Sequence, residues 1–150
     1  MITLAQFSVL TLYLIIIYKR FGILESISHS SYEWLGNERY WFLVMCWVLG
    51  FLNLAQGMGG WGFWTSAGLF ATGITVKWME SGSVEFYLHS IGAVTAVLVG
   101  FIGLWVVHGI WIPFAIFAVI ASITWNALPN RIWWIEVQAF LLILIGYMLR

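Results

Sequence analysis

Charge is the scarcest commodity in this chain. Only 8% of its 150 residues are Asp, Glu, Lys or Arg, and none is aspartate. A soluble domain carries about 25% charged residues, so the composition excludes an ordinary water-soluble fold. The six basic and six acidic side chains cancel, which leaves no basic surface for nucleic acid. A single cysteine, Cys46, excludes an intrachain disulfide and a cysteine-based zinc knuckle. Heptads, low-complexity tracts and clear repeats are also lacking, and GMGGWGFW at 57–64 lacks the Lys-Ser/Thr that a phosphate loop requires.

What is there instead is apolar. Hydrophobic residues make up 63% of the chain and aromatics 19%, with 11 Trp among them, and the mean hydropathy is +0.97. A membrane-crossing helix needs about 20 apolar residues. Runs of that kind fall at about 2–18, 40–56, 61–79, 84–107, 109–128 and 132–149. The expectation is an all-α, polytopic transmembrane helical bundle of six spans, one domain over residues 1–150, with aromatic belts at the ends of the runs. The first run has no basic leader and no A-x-A site, so it reads as a retained helix rather than a cleaved signal peptide. Turn signals separate the later runs: GMGG at 57–60, ESGS at 80–83, His108-Gly109 and Pro129-Asn130. Small residues at Ala67-x3-Ala71 with Gly68 and Gly73, at Gly92-Ala93-Ala96-Gly100 and at Ala118-x3-Ser122 suit close helix approach, and Asn53 and Gln56 suit interhelical hydrogen bonds.

The one long connection is the polar loop 19–39, which contains ESISHSSYEW. Six spans place loops one, three and five on one membrane face. Lys19, Arg20, Arg39, Lys77 and Arg131 collect there, against Arg150 on the other face. The positive-inside rule then puts both termini on the non-cytoplasmic side. Most of the reactive groups share the loop-one face: Ser26, Ser28, His29, Tyr32 and Glu33 in loop one, Glu85 and His89 in the fourth run, Glu136 in the sixth. Ionisable residues inside a membrane are costly and mark functional sites by default.

Several readings of this constellation stay open. Ser26, Ser28, His29, Tyr32, Arg39, His89, Arg131 and Glu136 can form a pocket for a lipid headgroup, with the arginines on phosphate. His29 and His89 with carboxylates can hold a zinc for lipid hydrolysis or transfer, which makes His89, Glu85, Glu136 and Ser28 the catalytic candidates. The spacing contains neither H-x3-H nor G-x-S-x-G, so no cofactor is required. In a purely structural network His89 meets Glu85, a loop serine or a carbonyl, and Glu136 pairs with Lys77 or Arg131. A small channel or transporter is a further alternative. The partners implied are membrane lipids, a second copy of the chain or another membrane protein, and not nucleic acid.

Residues 22–42, GILESISHSSYEWLGNERYWF, resemble the first loop of the DRAM/Sfk-type six-span membrane proteins: Ser26-Ile27-Ser28 matches its core, and Glu38-Arg39 with Tyr40 to Phe42 matches the aromatic entry to the next span. Glu25 stands where that family has proline. EFYLHSIGA at 85–93 resembles the family's His-x-x-Gly-Ala segment through His89, Gly92 and Ala93. Small membrane proteins of bacteria and their phages look similar too, including AGLFATG at 67–73. The resemblance implies a six-helix bundle with the Ser-Ile-Ser loop near His89, lipid-related work, and termini on the cytoplasmic side, opposite to the charge count. A more distant similarity is to the CREST membrane hydrolases, whose zinc ligands include aspartate, a residue this chain lacks.

Overall fold

The computed structural model of the chain describes residues 1–33, 38, 40–74 and 83–149. Among these there are seven helices and no strand: α1 (Ile2–Phe21), α2 (Ser30–Glu33), α3 (Tyr40–Ala55), α4 (Gly59–Ile74), α5 (Val84–His108), α6 (Ile112–Ala127) and α7 (Arg131–Met148). Each apolar run holds one long helix. α1 continues past the expected end at 18 and carries Lys19 and Arg20 in its last turn, where cations suit the helix dipole. The expected third span, 61–79, begins earlier as α4 at Gly59, and residues 75–79 lie outside the described residues. α5 starts on Ser83, whose Oγ accepts the Phe86 N–H at 3.1 Å, and stops at Gly109, left-handed at φ 69°. Pro113 sits in the first turn of α6, where its missing N–H costs nothing.

Three of these helices, α1, α5 and α7, are long and apolar enough to cross a membrane. α3, α4 and α6 have 16 residues each, about 24 Å of helix against a hydrocarbon core of roughly 30 Å.

α4 packs on α5 backbone to backbone. A Cβ on Gly68 would lie 2.6 Å from Ala96 N, and one on Gly92 would lie 2.8 Å from Gly68 O. Gly73 meets the Cys46 side chain on α3 in the same way. The buried small face of α4 is thus formed by Gly62, Ser66, Gly68 and Gly73, not by Ala67 and Ala71, which are only partly buried. Ala118 and Ser122 face outward from α6, so that small-residue pair does not serve packing within the chain. Two apolar clusters fill the interior, one around Ile17, Ile27, Phe42 and Trp133, the other around Leu10, Phe101, Leu104 and Leu144. Large side chains such as Leu12, Ile91, Val94, Val119 and Ile123 point away from the bundle and are exposed.

Polar links join the helices at the end remote from loop one. Asn53 Nδ2 donates to Gly62 O at 2.9 Å and to Ser66 Oγ at 3.0 Å. Tyr147 Oη donates to Asn53 Oδ1 at 2.8 Å. Gln56 Nε2 donates to Gln6 Oε1. Asn53 and Gln56 are therefore the interhelical donors their isolation in an apolar run predicts.

Candidate functional site: a serine plug on the loop-one face

The chain leaves α1 at Gly22, whose φ of 78° suits glycine. It then turns inward instead of out to water. Ile27 is 2% exposed and Ser30 0%, and Ser26, Ser28 and Ser31 are as deeply buried. Each buried hydroxyl is satisfied locally, as burial demands. Ser26 and Ser28 Oγ lie 3.0 Å apart. Ser30 Oγ donates to Ile27 O at 2.6 Å and Ser31 Oγ to Ser28 O at 2.9 Å. Ser30 Oγ also lies 2.7 Å from Tyr13 Oη on α1. Residues of the polar loop 19–39 therefore fold into the short helix α2 and a plug.

The plug is fastened to the start of α7. Glu136 Oε2 accepts the Ile27 N–H at 2.6 Å. Trp133 N–H, one of the first-turn donors that a helix leaves unpaired, donates to Glu25 O at 3.0 Å. Asn130 Nδ2 donates to Ile23 O at 3.1 Å. Glu136 thus serves a backbone amide and not Arg131, as the structural reading had it. The Arg131 guanidinium instead lies over the Trp125 ring, 4.2 Å from its centroid. Lys77 and Arg39 lie outside the described residues.

The histidines part company. The His29 ring sits between two carboxylates, with Nδ1 3.6 Å from Glu25 and Nε2 3.4 Å from Glu33, and Tyr32 packs edge-on to it. His89 is buried on α5 beside Phe42. Its Nδ1 lies 3.2 Å from the Thr72 carbonyl oxygen, which can only accept, so Nδ1 carries the proton in that contact. Glu85, one turn earlier, is exposed. Both His29 ring nitrogens thus face carboxylates. Among the described residues no group of three or more His, Cys, Asp or Glu could hold a metal ion.

Two spaces flank the plug. Beneath it lies a cavity of about 40 Å³ lined by Ile27, Ser28, Thr72 and Glu136 among others. That is far below the ~300 Å³ of the smallest usual ligand pockets, so a headgroup does not enter behind the closed loop. Outside it, α1 and α7 form an apolar groove of about 730 Å³. Phe7, Leu14 and Val137 line its length, and Tyr18, Lys19, Trp133 and Trp134 close it at the loop-one end. Sequence reasoning missed this groove, because it takes one wall from each end of the chain. The Lys19 and Trp133-Trp134 pairing was its only signal.

Glu136→Ala should unfasten the plug. Leaving the Ile27 amide unpaired costs about 1–3 kcal/mol, so amide exchange at Ile27 should rise by roughly tenfold or more. Glu136→Gln, which keeps an acceptor oxygen, should exchange as the wild type does.

None of the comparisons with protein-family models, curated proteins and solved structures gives a match to this chain.

Proposed function

We propose that this chain is an integral membrane protein of six spans that binds a membrane lipid on its loop-one face. One acyl chain would lie in the α1–α7 groove, with an anionic headgroup at Lys19. The groove is the observation that carries the reading. Its volume falls in the range of ligand sites. Its walls are apolar, and its mouth combines a cation with Tyr18, Trp133 and Trp134, the residue types that settle at the headgroup level. Lys19 forms no ion pair among the described residues and is exposed, whereas Arg20 is held by Glu38 at 3.0 Å. The exposed apolar side chains around the bundle also favour a lipid surround. The shorter helices α3, α4 and α6 can cross if the bilayer thins around them. The resemblance of residues 22–42 and 85–93 to the DRAM/Sfk-type proteins points the same way.

In this reading the serine loop does not touch the lipid. It fixes Trp133 through the Glu25 carbonyl and so sets the wall of the groove. The binding role expected of Ser26 and Ser28 becomes a positioning role, and lipid contact passes to Lys19 and Trp134.

The test is lipid analysis of the detergent-purified protein. The wild type should retain about one anionic phospholipid per chain. Lys19→Glu should lower the anionic share by about fivefold, as one lysine near the surface contributes ~1 kcal/mol. Val137→Trp, which fills the groove, should remove the lipid whatever its headgroup. Retention of lipid unchanged in both variants would refute the reading.

A further inference from the structure

The segment that forms the plug sets three ionisable side chains four residues apart, Glu25, His29 and Glu33. The His29 ring stands between the two carboxylates, 3.6 Å from Glu25 on its Nδ1 side and 3.4 Å from Glu33 on its Nε2 side. The ring is only 16% exposed, whereas Glu25 is 78% and Glu33 44% exposed. Its own backbone N–H is held by Ser26, and Tyr32 packs against its edge. The plug therefore fixes the ring, and both carboxylates reach solvent. The array also spans the plug: Glu25 precedes the first buried serine, and Glu33 ends α2.

Histidine is the side chain suited to change charge near neutral pH. As imidazolium the ring donates from both nitrogens and attracts both carboxylates. As neutral imidazole it keeps one N–H and one lone pair. A lone pair facing a carboxylate repels it, so one arm of the array is lost and swings into water. Glu25 belongs to two links at once. Its carboxylate faces His29, and its carbonyl accepts the Trp133 N–H, on a residue that lines the α1–α7 groove. Other titratable groups touch the plug from the neighbouring helices: Glu136 on α7 accepts the Ile27 N–H, and Tyr13 on α1 meets Ser30.

We propose that Glu25, His29 and Glu33 form a proton-operated brace across the plug, closed when His29 is charged and open when it is neutral. Closed, the brace ties both ends of the plug to one ring and steadies the Glu25 main chain against Trp133. Open, it leaves the plug held by its bonds to α7 and α1 alone. The plug is then tight on the acid side and slack toward alkaline pH, and the groove wall at Trp133 yields with it. The effect on bound lipid rests on the groove reading above. The brace itself does not.

The experiment measures amide protection at Ile27 and Trp133 in the detergent-purified full chain at about pH 5.5 and about pH 8, the two sides of the histidine range, corrected for intrinsic exchange. Glu136→Gln is the background, since it keeps an acceptor for Ile27 and does not titrate. Protection there should fall about threefold from the acid to the alkaline sample, within the range of partly exposed ion pairs. Adding His29→Gln should make protection equal at both pH values. Adding Glu25→Gln with Glu33→Gln instead should do the same with the ring still in place, and carries the test if His29→Gln does not fold. Equal protection at both pH values in the Glu136→Gln background overturns the brace. A fall that persists after His29→Gln places the proton elsewhere and overturns it as well. Anionic phospholipid retained by the same samples should fall about threefold alongside the protection. Lipid present but indifferent to pH overturns the link to the groove. Lipid absent at both pH values refutes the groove reading, while the protection data still decide the brace.

Discussion

Gly92→Leu should abolish the folded bundle. A side chain there starts 2.8 Å from Gly68 O and 2.8 Å from Thr72 N, and these are backbone atoms of a helix that cannot turn aside. Even Gly92→Ala overpacks the contact, a class of change that costs about 1–3 kcal/mol. Leucine adds three more heavy atoms and forces α4 and α5 apart. Nothing compensates, because in a membrane such helices associate through close packing and not through the hydrophobic effect. The His89 to Thr72 contact, on the same pair of helices, should go with it. Size-exclusion profiles and tryptophan emission in detergent would report the loss. Gly60→Ala is the matched control. A Cβ at Gly60 meets nothing within 4 Å, so this variant should be neutral or up to ~1 kcal/mol more stable through helix propensity.

Asn53→Leu should cost about 2–3 kcal/mol, since it deletes three hydrogen bonds that hold α4 and α7 to α3. Single interhelical bonds in membranes average about 0.6 kcal/mol and reach ~1.7. Here one side chain makes all three, and Tyr147 loses its acceptor with them. Tyr147→Phe alone should cost roughly 1 kcal/mol. Combined with Asn53→Leu it should add little, because the shared bond is already gone. Reversible unfolding in mixed micelles, followed by circular dichroism, measures both the losses and their non-additivity. A full additive cost would show that the Asn53 to Tyr147 bond contributes nothing.

The helices were readable in the sequence because they rest on local signals. Each apolar run yielded a helix, and Ser83, Gly109 and Pro113 mark the ends where capping and turn chemistry place them. Asn53 was readable for the same reason, a lone amide in an apolar run. The plug was not. ESISHSSYE has the composition of a solvated loop, and only Ile27 hints that it turns inward. The bonds that bury its serines run to carbonyls three residues back, and no hydropathy pattern records them. Glu136 was readable as a costly group needing a partner, but charge counting could propose only Lys77 or Arg131. Its actual partner is a backbone N–H, which every residue but proline has and which leaves no mark in the sequence. The groove depends on which helices lie side by side, and that is settled by packing across the whole chain.

The fastening of loop one to α7 also sets an order of events during synthesis. Ile27 and Glu136 are 109 residues apart. At ~5–20 residues per second, the ribosome needs roughly 5–20 s after making the loop to make its anchor. Throughout that interval the Ile27 amide and the carbonyls of Ile23 and Glu25 await α7. A nascent chain halted before residue 130 holds an unsealed mouth, so sealing of the loop-one face reports that the last helix has arrived.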